Sequence, residues 1–158
     1  MSQHFRKNAG VVVFRADKKV LMCSRIDSRK PSWQFPQGGI ESGESVKEAA
    51  IRELYEETSL RRVTWVAEID RPIRYEFPQE IKEAFLKKGI VTDGQDQYWS
   101  LFYFDGDDAE IDLKTPEPEF DDYRWVDISE APNLVWEVKK QAYMEMVKVF
   151  APIIDNYS

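Results

Sequence analysis

Between Gly38 and Thr58 the chain compresses three of its seven glycines, Gly38, Gly39 and Gly43, into a short loop that runs straight into a helix start. Ser45 followed by Glu48 has the form of a capping box, in which the serine hydroxyl and the glutamate each satisfy a free backbone N–H. The spacing predicts a helix over Val46–Thr58. On that helix Glu53, Glu56 and Glu57 stand at i, i+3 and i+4, so three carboxylates share a face. Ala50, Ile51, Leu54 and Tyr55 are expected on the other side, packed against a sheet. Like charges at this spacing destabilise an isolated helix. Either the face is simply solvated, or a divalent cation compensates it. Clustered carboxylates without His or Cys are hard oxygen donors, which suit Mg²⁺ or Mn²⁺ better than zinc. Glycines before the helix allow the backbone to fold back closely onto it. Glu44 could then swing toward the cluster, and Arg52 could fix the orientation of a carboxylate.

Other chemistries are excluded by what the chain lacks. Cys23 is the single cysteine, so an intramolecular disulfide and a cysteine-based zinc site are ruled out. It lies in Val20-Leu21-Met22-Cys23 and reads as a small core residue. His4, the single histidine, lies in an N-terminal stretch expected to fray. Catalysis is therefore expected to run on carboxylates. No apolar run approaches the roughly 20 residues of a membrane helix. The run Ala9–Phe14 is also too short for a signal peptide, which makes a cytoplasmic protein the default expectation.

With 158 residues and no repeat or low-complexity linker, residues 1–158 read as one domain. Strands are expected at Ala9–Phe14, Val20–Cys23, Trp33–Phe35, Thr64–Ile69, Ile73–Phe77, Gln97–Phe104 and Tyr123–Val126, with a turn around Asp17-Lys18-Lys19. Further helices are expected over Gln79–Lys88 and Glu137–Phe150, the latter with Ala142, Met146 and Phe150 on one face. The fold class is α+β, with a sheet sandwiched between helices as one arrangement.

The segment from Gly38 resembles the Nudix box, Gly-x5-Glu-x7-Arg-Glu-U-x-Glu-Glu-x-Gly-U, where U is bulky and apolar. Gly38, Glu44, Arg52, Glu53, Leu54, Glu56, Glu57 and Leu60 fall in register. Ser59 stands where the motif has its second glycine, which bears on how the helix exits. Three further stretches resemble the branch of that superfamily that acts on RNA 5′ ends and dinucleoside polyphosphates. They are Ser32-Trp33-Gln34-Phe35-Pro36-Gln37-Gly38-Gly39, Gly94-Gln95-Asp96-Gln97-Tyr98-Trp99, and the run from Glu117-Pro118-Glu119-Phe120 to Trp125-Val126. The likeness extends from about Arg6 to Tyr143.

The resemblance implies a Nudix-like α/β/α sandwich with a mixed central sheet and a catalytic loop-helix-loop at about 38–60. It implies hydrolysis of a diphosphate linkage by water, assisted by Mg²⁺ (or Mn²⁺), with two or more ions per site. Glu53, Glu56, Glu57, Glu119 and Gly38 would form the metal set. Glu53 or Glu57 would act as general base, beside Arg52. Arg6, Arg25 and Lys139 match positions that contact phosphates in the branch. Gln34, Gln37 and Tyr75 are pocket candidates, whereas Trp33 and Trp99 fit a pocket or a core equally. Where the branch often has an aromatic near Lys139 this chain has Val138, and Trp136 is a possible substitute.

The implied reaction is removal of pyrophosphate from a 5′-triphosphorylated RNA end. Asymmetric hydrolysis of dinucleoside polyphosphates, cleavage of free nucleoside triphosphates, and a nucleotide-binding module without turnover are the alternatives. The partner is then an RNA end or a nucleotide polyphosphate, with no membrane, and the protein a monomer or homodimer. The net charge of −7 does not oppose this. Residues 105–122 hold nine acids and one base, whereas residues 1–40 hold eight bases and two acids. Such a balance disfavours gripping a whole RNA and suits reading its end.

Overall fold

The computed structural model describes residues 4–26 and 32–158. Its strands are β1 (Phe5–Phe14), β2 (Val20–Arg25), β3 (Trp33–Gln34), β4 (Gln37–Gly39), β5 (Thr64–Glu68), β6 (Ile73–Glu76), β7 (Gly94–Tyr103) and β8 (Phe120–Val126). The helices are α1 (Val46–Thr58), α2 (Gln79–Lys87), α3 (Ala131–Leu134) and α4 (Lys140–Asp155). The unbroken apolar run Val11-Val12-Val13-Phe14 suits a strand covered on both faces, and β1 is such a strand. It pairs in parallel with β7 along its whole length, from Phe5 opposite Gly94 to Phe14 opposite Tyr103.

The remaining pairings are antiparallel, and the sheet forks around this central pair. β1 meets β2 at its C-terminal end and β4 at Asn8–Gly10. β7 meets β6 through Gly94–Gln97 and β5 through Ser100–Tyr103. β2 carries β3 and β8 on the outer edge. The sheet is therefore mixed, as the resemblance implies.

Alternation along the strands feeds two cores. Val12, Phe14, Met22, Trp99 and Leu101 face one side and pack with Ala142, Tyr143, Met146 and Phe150 of α4. Val11, Val13, Leu21, Cys23 and Phe102 face the other and pack with Ala49, Ala50 and Leu54 of α1. Helix, sheet and helix thus form three layers, the α/β/α sandwich that the resemblance implies.

Most element bounds agree with the sequence to within a few residues, and α1 agrees at both ends. Several expectations are corrected. β1 starts four residues earlier than its apolar run, because Phe5–Asn8 is held by the parallel ladder to β7. His4 is not frayed: its N–H donates to Asp93 Oδ2 at 2.7 Å, and its carbonyl accepts from the Asp93 N–H at 2.7 Å. The C-terminal helix begins as a short 3₁₀ turn at Glu137–Lys139, and the α-helix proper continues to Asp155. Trp99 is wholly buried in the core, and Trp33 packs against that core from its edge.

α1 is also rotated from the expected position. Ile51 and Tyr55 are exposed, while Ala50, Leu54 and Glu57 are buried. At about 100° per residue, Ala50 and Glu57 point in directions about 20° apart, so the helix cannot bury one without turning the other inward. Two of the three carboxylates do not face away from the sheet. Glu57 and Glu53 lie at its edge, beneath β4, and Glu56 points to solvent.

Candidate active site

The site is assembled by the loop that joins β4 to α1. Ser45 caps the helix: its hydroxyl accepts from the Glu48 N–H at 3.0 Å, and Glu48 returns a bond to the Ser45 N–H at 2.9 Å. Gly43 takes a left-handed conformation, φ 85°, in the turn ahead of the cap. Gly38 is required for a different reason. A Cβ there would lie 2.0 Å from the Glu53 carboxyl carbon, so a side chain at 38 would displace that carboxylate. At the far end Ser59 adopts φ 70°, the left-handed form that the motif's glycine adopts freely. Its hydroxyl donates to the Asp112 carbonyl at 2.8 Å, and its N–H closes the helix onto Tyr55. The departure at Ser59 therefore leaves the helix exit intact.

Arg52 organises the carboxylates from the solvent side. Its Nε and Nη2 grip Glu44 at 2.6 and 2.9 Å, Nη1 reaches Glu53 at 2.7 Å and Glu56 at 3.2 Å, and Nη2 also meets the Gly39 carbonyl at 2.8 Å. Glu44 is thereby an anchor for Arg52, and its carboxyl is held down to about 2 by those bonds and by the Glu41 N–H.

Glu57 is buried and accepts from the Gln37 N–H at 3.1 Å. Burial, followed by the nearby Glu53, pushes its carboxyl up to about 9 against the partial relief of that hydrogen bond, with Glu119 adding to the rise. Glu53 is raised too, first by burial, with Glu56 and Glu119 adding to it and Arg52 opposing.

Glu53, Glu56, Glu57 and Glu119 line one cavity of about 500 Å³, together with Tyr55 and Lys114. Among the described residues no trio of His, Cys, Asp or Glu stands in an arrangement that would hold an ion as it is. Glu53 and Glu56 are drawn to Arg52, and Glu57 to Gln37. The donor set nonetheless fits a hard divalent cation. All four are carboxylates, and burial followed by the neighbouring Glu53 disfavours the ionised form of Glu57, which a bound cation would stabilise.

A second cavity of about 390 Å³ is lined by Arg25, Gln34, Gln37, Tyr75 and Lys139, five residues singled out in the sequence. Ser32, Gln95, Phe77, Phe85 and Trp136 complete it. Lys139 is 5% exposed, with its ammonium 5.6 Å from the centre of the Tyr75 ring. Burial, reinforced by the positive charge of Arg25, lowers its pKa to about 8, while Glu57 works the other way. Glu57 lines the first cavity and accepts from the backbone of Gln37, which lines the second, so the two cavities are neighbours.

Arg6 is exposed on β1 opposite Gln95, and it lines neither cavity. Trp136 takes part in an aromatic group with Phe77 (6.4 Å between centroids), itself stacked on Phe85 at 5.5 Å. Phe77, Phe85 and Lys114 were not indicated by the sequence. Phe85 could have been suspected from its i+4 spacing after Ile81 on α2, but nothing in sequence brings α2 beside β6.

A mixed sheet between helices thus carries an arginine-caged glutamate helix at its edge. The chain belongs to the Nudix family: residues 4–146 match the NUDIX domain. It is 39% identical over 150 residues to an RNA pyrophosphohydrolase of Pelagibacter ubique, covering 95% of this chain and 94% of that one. An RNA pyrophosphohydrolase of Erythrobacter litoralis is 38% identical over 154 residues, covering 95% and 93%. Among solved structures the fold is similar to the E. coli dihydroneopterin triphosphate pyrophosphohydrolase, with TM-score 0.64, 23% identity and coverage of 92% and 99%. It is likewise similar to a C. elegans Ap4A hydrolase, with TM-score 0.64, 19% identity and coverage of 93% and 98%. Divalent-metal use is general in this family. Among the described residues no helix is long and apolar enough to cross a membrane.

Proposed function

We propose that this Nudix hydrolase removes pyrophosphate from the 5′-triphosphate end of RNA, in the cytoplasm. The observation that carries the reading is the junction of two cavities at Glu57 and Gln37, one acidic and one lined by cations, amides and aromatic rings. A 5′ nucleotide suits the second, whose volume of about 390 Å³ lies within the range of small-ligand sites. Its triphosphate would then extend over the glutamates. The relatives named RNA pyrophosphohydrolase, aligned over more than nine-tenths of the chain, support the same substrate.

Glu53, Glu56, Glu57 and Glu119, with Gly38 against Glu53, would hold Mg²⁺ or Mn²⁺, two or more ions being accommodated by four carboxylates. Bound there, the metal supplies charge neutralisation on the phosphates and acidifies a water molecule. Arg52 keeps Glu53 oriented, and Glu53 or Glu57 takes the proton from the attacking water as it adds to phosphorus. Pyrophosphate leaves, and the RNA retains a 5′-monophosphate. Arg25 and Lys139 meet the substrate's negative charge, Gln34 and Gln37 donate or accept at its polar edges, and Tyr75 offers a ring face. Arg6 meets phosphate only if the RNA reaches the outer end of β1.

The test is incubation of 5′-triphosphorylated RNA with the protein and Mg²⁺, beside diadenosine tetraphosphate at equal concentration. The expected result is RNA 5′-monophosphate and pyrophosphate, with kcat/KM higher on RNA. Glu53→Gln should lower the rate by about 10²–10⁴-fold, the range for loss of a general base or its equivalent. Wild-type protein that leaves the RNA intact, or an undiminished Glu53→Gln rate, would overturn the reading.

A further inference from the structure

The buried amide of Gln97 has no assigned part in the chemistry above, yet it touches a residue of the nucleotide cleft. Gln97 lies on β7 and is wholly buried. Its Nε2 donates to Gln37 Oε1 at 2.7 Å and to Asn8 Oδ1 at 3.3 Å, while its own Oε1 is buried without a partner among the described residues. Both hydrogens of one amide are therefore committed, and a single acceptor is left over. Turning the three amides the other way would satisfy Gln97 Oε1 but strand two buried donor hydrogens in its place. Unsatisfied buried donors are the rarer and costlier outcome.

We propose that Gln97 is a positioning residue that fixes the polarity of Gln37, so that Gln37 presents its NH₂ group, not its carbonyl, to the substrate. The inference rests on the reading of the second cavity as the nucleotide cleft. With Oε1 of Gln37 held by Gln97, the atom left facing the cleft is Nε2. Together with the Arg25 guanidinium and the Lys139 ammonium it makes this part of the wall a donor surface, matched to phosphate oxygens or a base carbonyl. The backbone of Gln37 is fixed as well, through its N–H to Glu57. One residue of β4 is thus held at both ends, and the cleft's hydrogen-bond polarity is set by a strand two positions away in the sheet.

The experiment is a double-mutant cycle on Gln97→Met and Gln37→Leu, with each variant's thermal midpoint recorded. Two readouts are taken: the Kd of a non-hydrolysable nucleoside triphosphate by calorimetry, and KM and kcat on triphosphorylated RNA. Gln97→Met should weaken binding and raise KM by about three- to tenfold with kcat within about twofold, the loss expected for one aligned hydrogen bond. Gln37→Leu should do the same, and the double variant should be no worse than Gln37→Leu alone. Gln97→Asn, which keeps a buried amide but falls short of Gln37, should reproduce the loss if the methionine variant does not fold. Multiplicative losses in the double variant, or unchanged Kd in folded Gln97 variants, would overturn the proposal. A wild type that binds the analogue but does not convert RNA would sink the substrate reading alone, leaving the cycle in Kd to judge Gln97.

Discussion

Glu57 ionises near 4.5 in an unfolded chain and at about 9 in the folded, metal-free protein, because burial and then Glu53 oppose its charge. The folded state therefore holds a proton that the unfolded state has released, throughout the interval between those values. Stability contributed by this residue is present below the unfolded pKa and declines as pH rises toward 9. In EDTA, wild type should lose thermal stability from pH 5 to 9 relative to Glu57→Gln, which cannot titrate there. Parallel curves for the two proteins would contradict the assignment. The glutamates themselves were legible in sequence, since i, i+3 and i+4 spacing fixes which side chains meet on one helix. Gln97 was visible only as a member of the Gly94–Trp99 stretch and its contacts were not, because its partners Asn8 and Gln37 lie on other strands and no local pattern brings them together.

The helix α1 was readable at both ends, because the Ser45–Glu48 cap and the residues after Thr58 act locally. Its rotation was not. Apolar periodicity placed Ile51 and Tyr55 inward, but packing on the sheet selects the stripe Ala50, Leu54 and Glu57, set by the close approach of Gly38 to Glu53. β4 was missed for a related reason: Gln37-Gly38-Gly39 has no β-forming side chain, and it is a strand because Asn8–Gly10 pairs with it. At the helix exit, Ser59 holds a left-handed backbone, which costs a non-glycine residue about 1–2 kcal/mol. Its hydroxyl bond to Asp112 offsets about 0.5–1.5 kcal/mol of that. Ser59→Ala keeps the backbone cost and loses the bond, so denaturant unfolding should show it less stable than Ser59→Gly by about 1 kcal/mol. Equal stability of the two variants would show that position 59 is not held left-handed.

For the molecule as a whole, the acidic surplus is concentrated around residues 41–58 and 105–122, beside the carboxylate cavity, while the basic residues Arg25 and Lys139 line the adjoining cleft. A protein built this way has few cations to spread along an RNA chain. Its kcat/KM should differ by less than about threefold between triphosphorylated RNAs of roughly 5 and 30 nucleotides, with a shallow dependence on salt concentration, since each additional phosphate contact would steepen it. A steep salt slope that grows with RNA length would show an extended RNA track instead. The α+β class was legible from strand and helix spacing and the three layers from the Nudix resemblance, whereas the forked sheet was not, because its branching depends on which partner each half of β1 and β7 finds.

The parallel pairing of β1 with β7 also sets an order of events during synthesis. Asn8 and Gln97, opposed in that ladder, are 89 residues apart in the chain. Until Tyr103 has left the ribosome, β1 lacks its longest partner, and such distant pairing is slow to form. α1, made long before, has only half a sheet to pack on, and Glu119 arrives later still. A nascent chain therefore carries its glutamate helix before β7 and Glu119 exist, and the four carboxylates share a cavity only after both have been made.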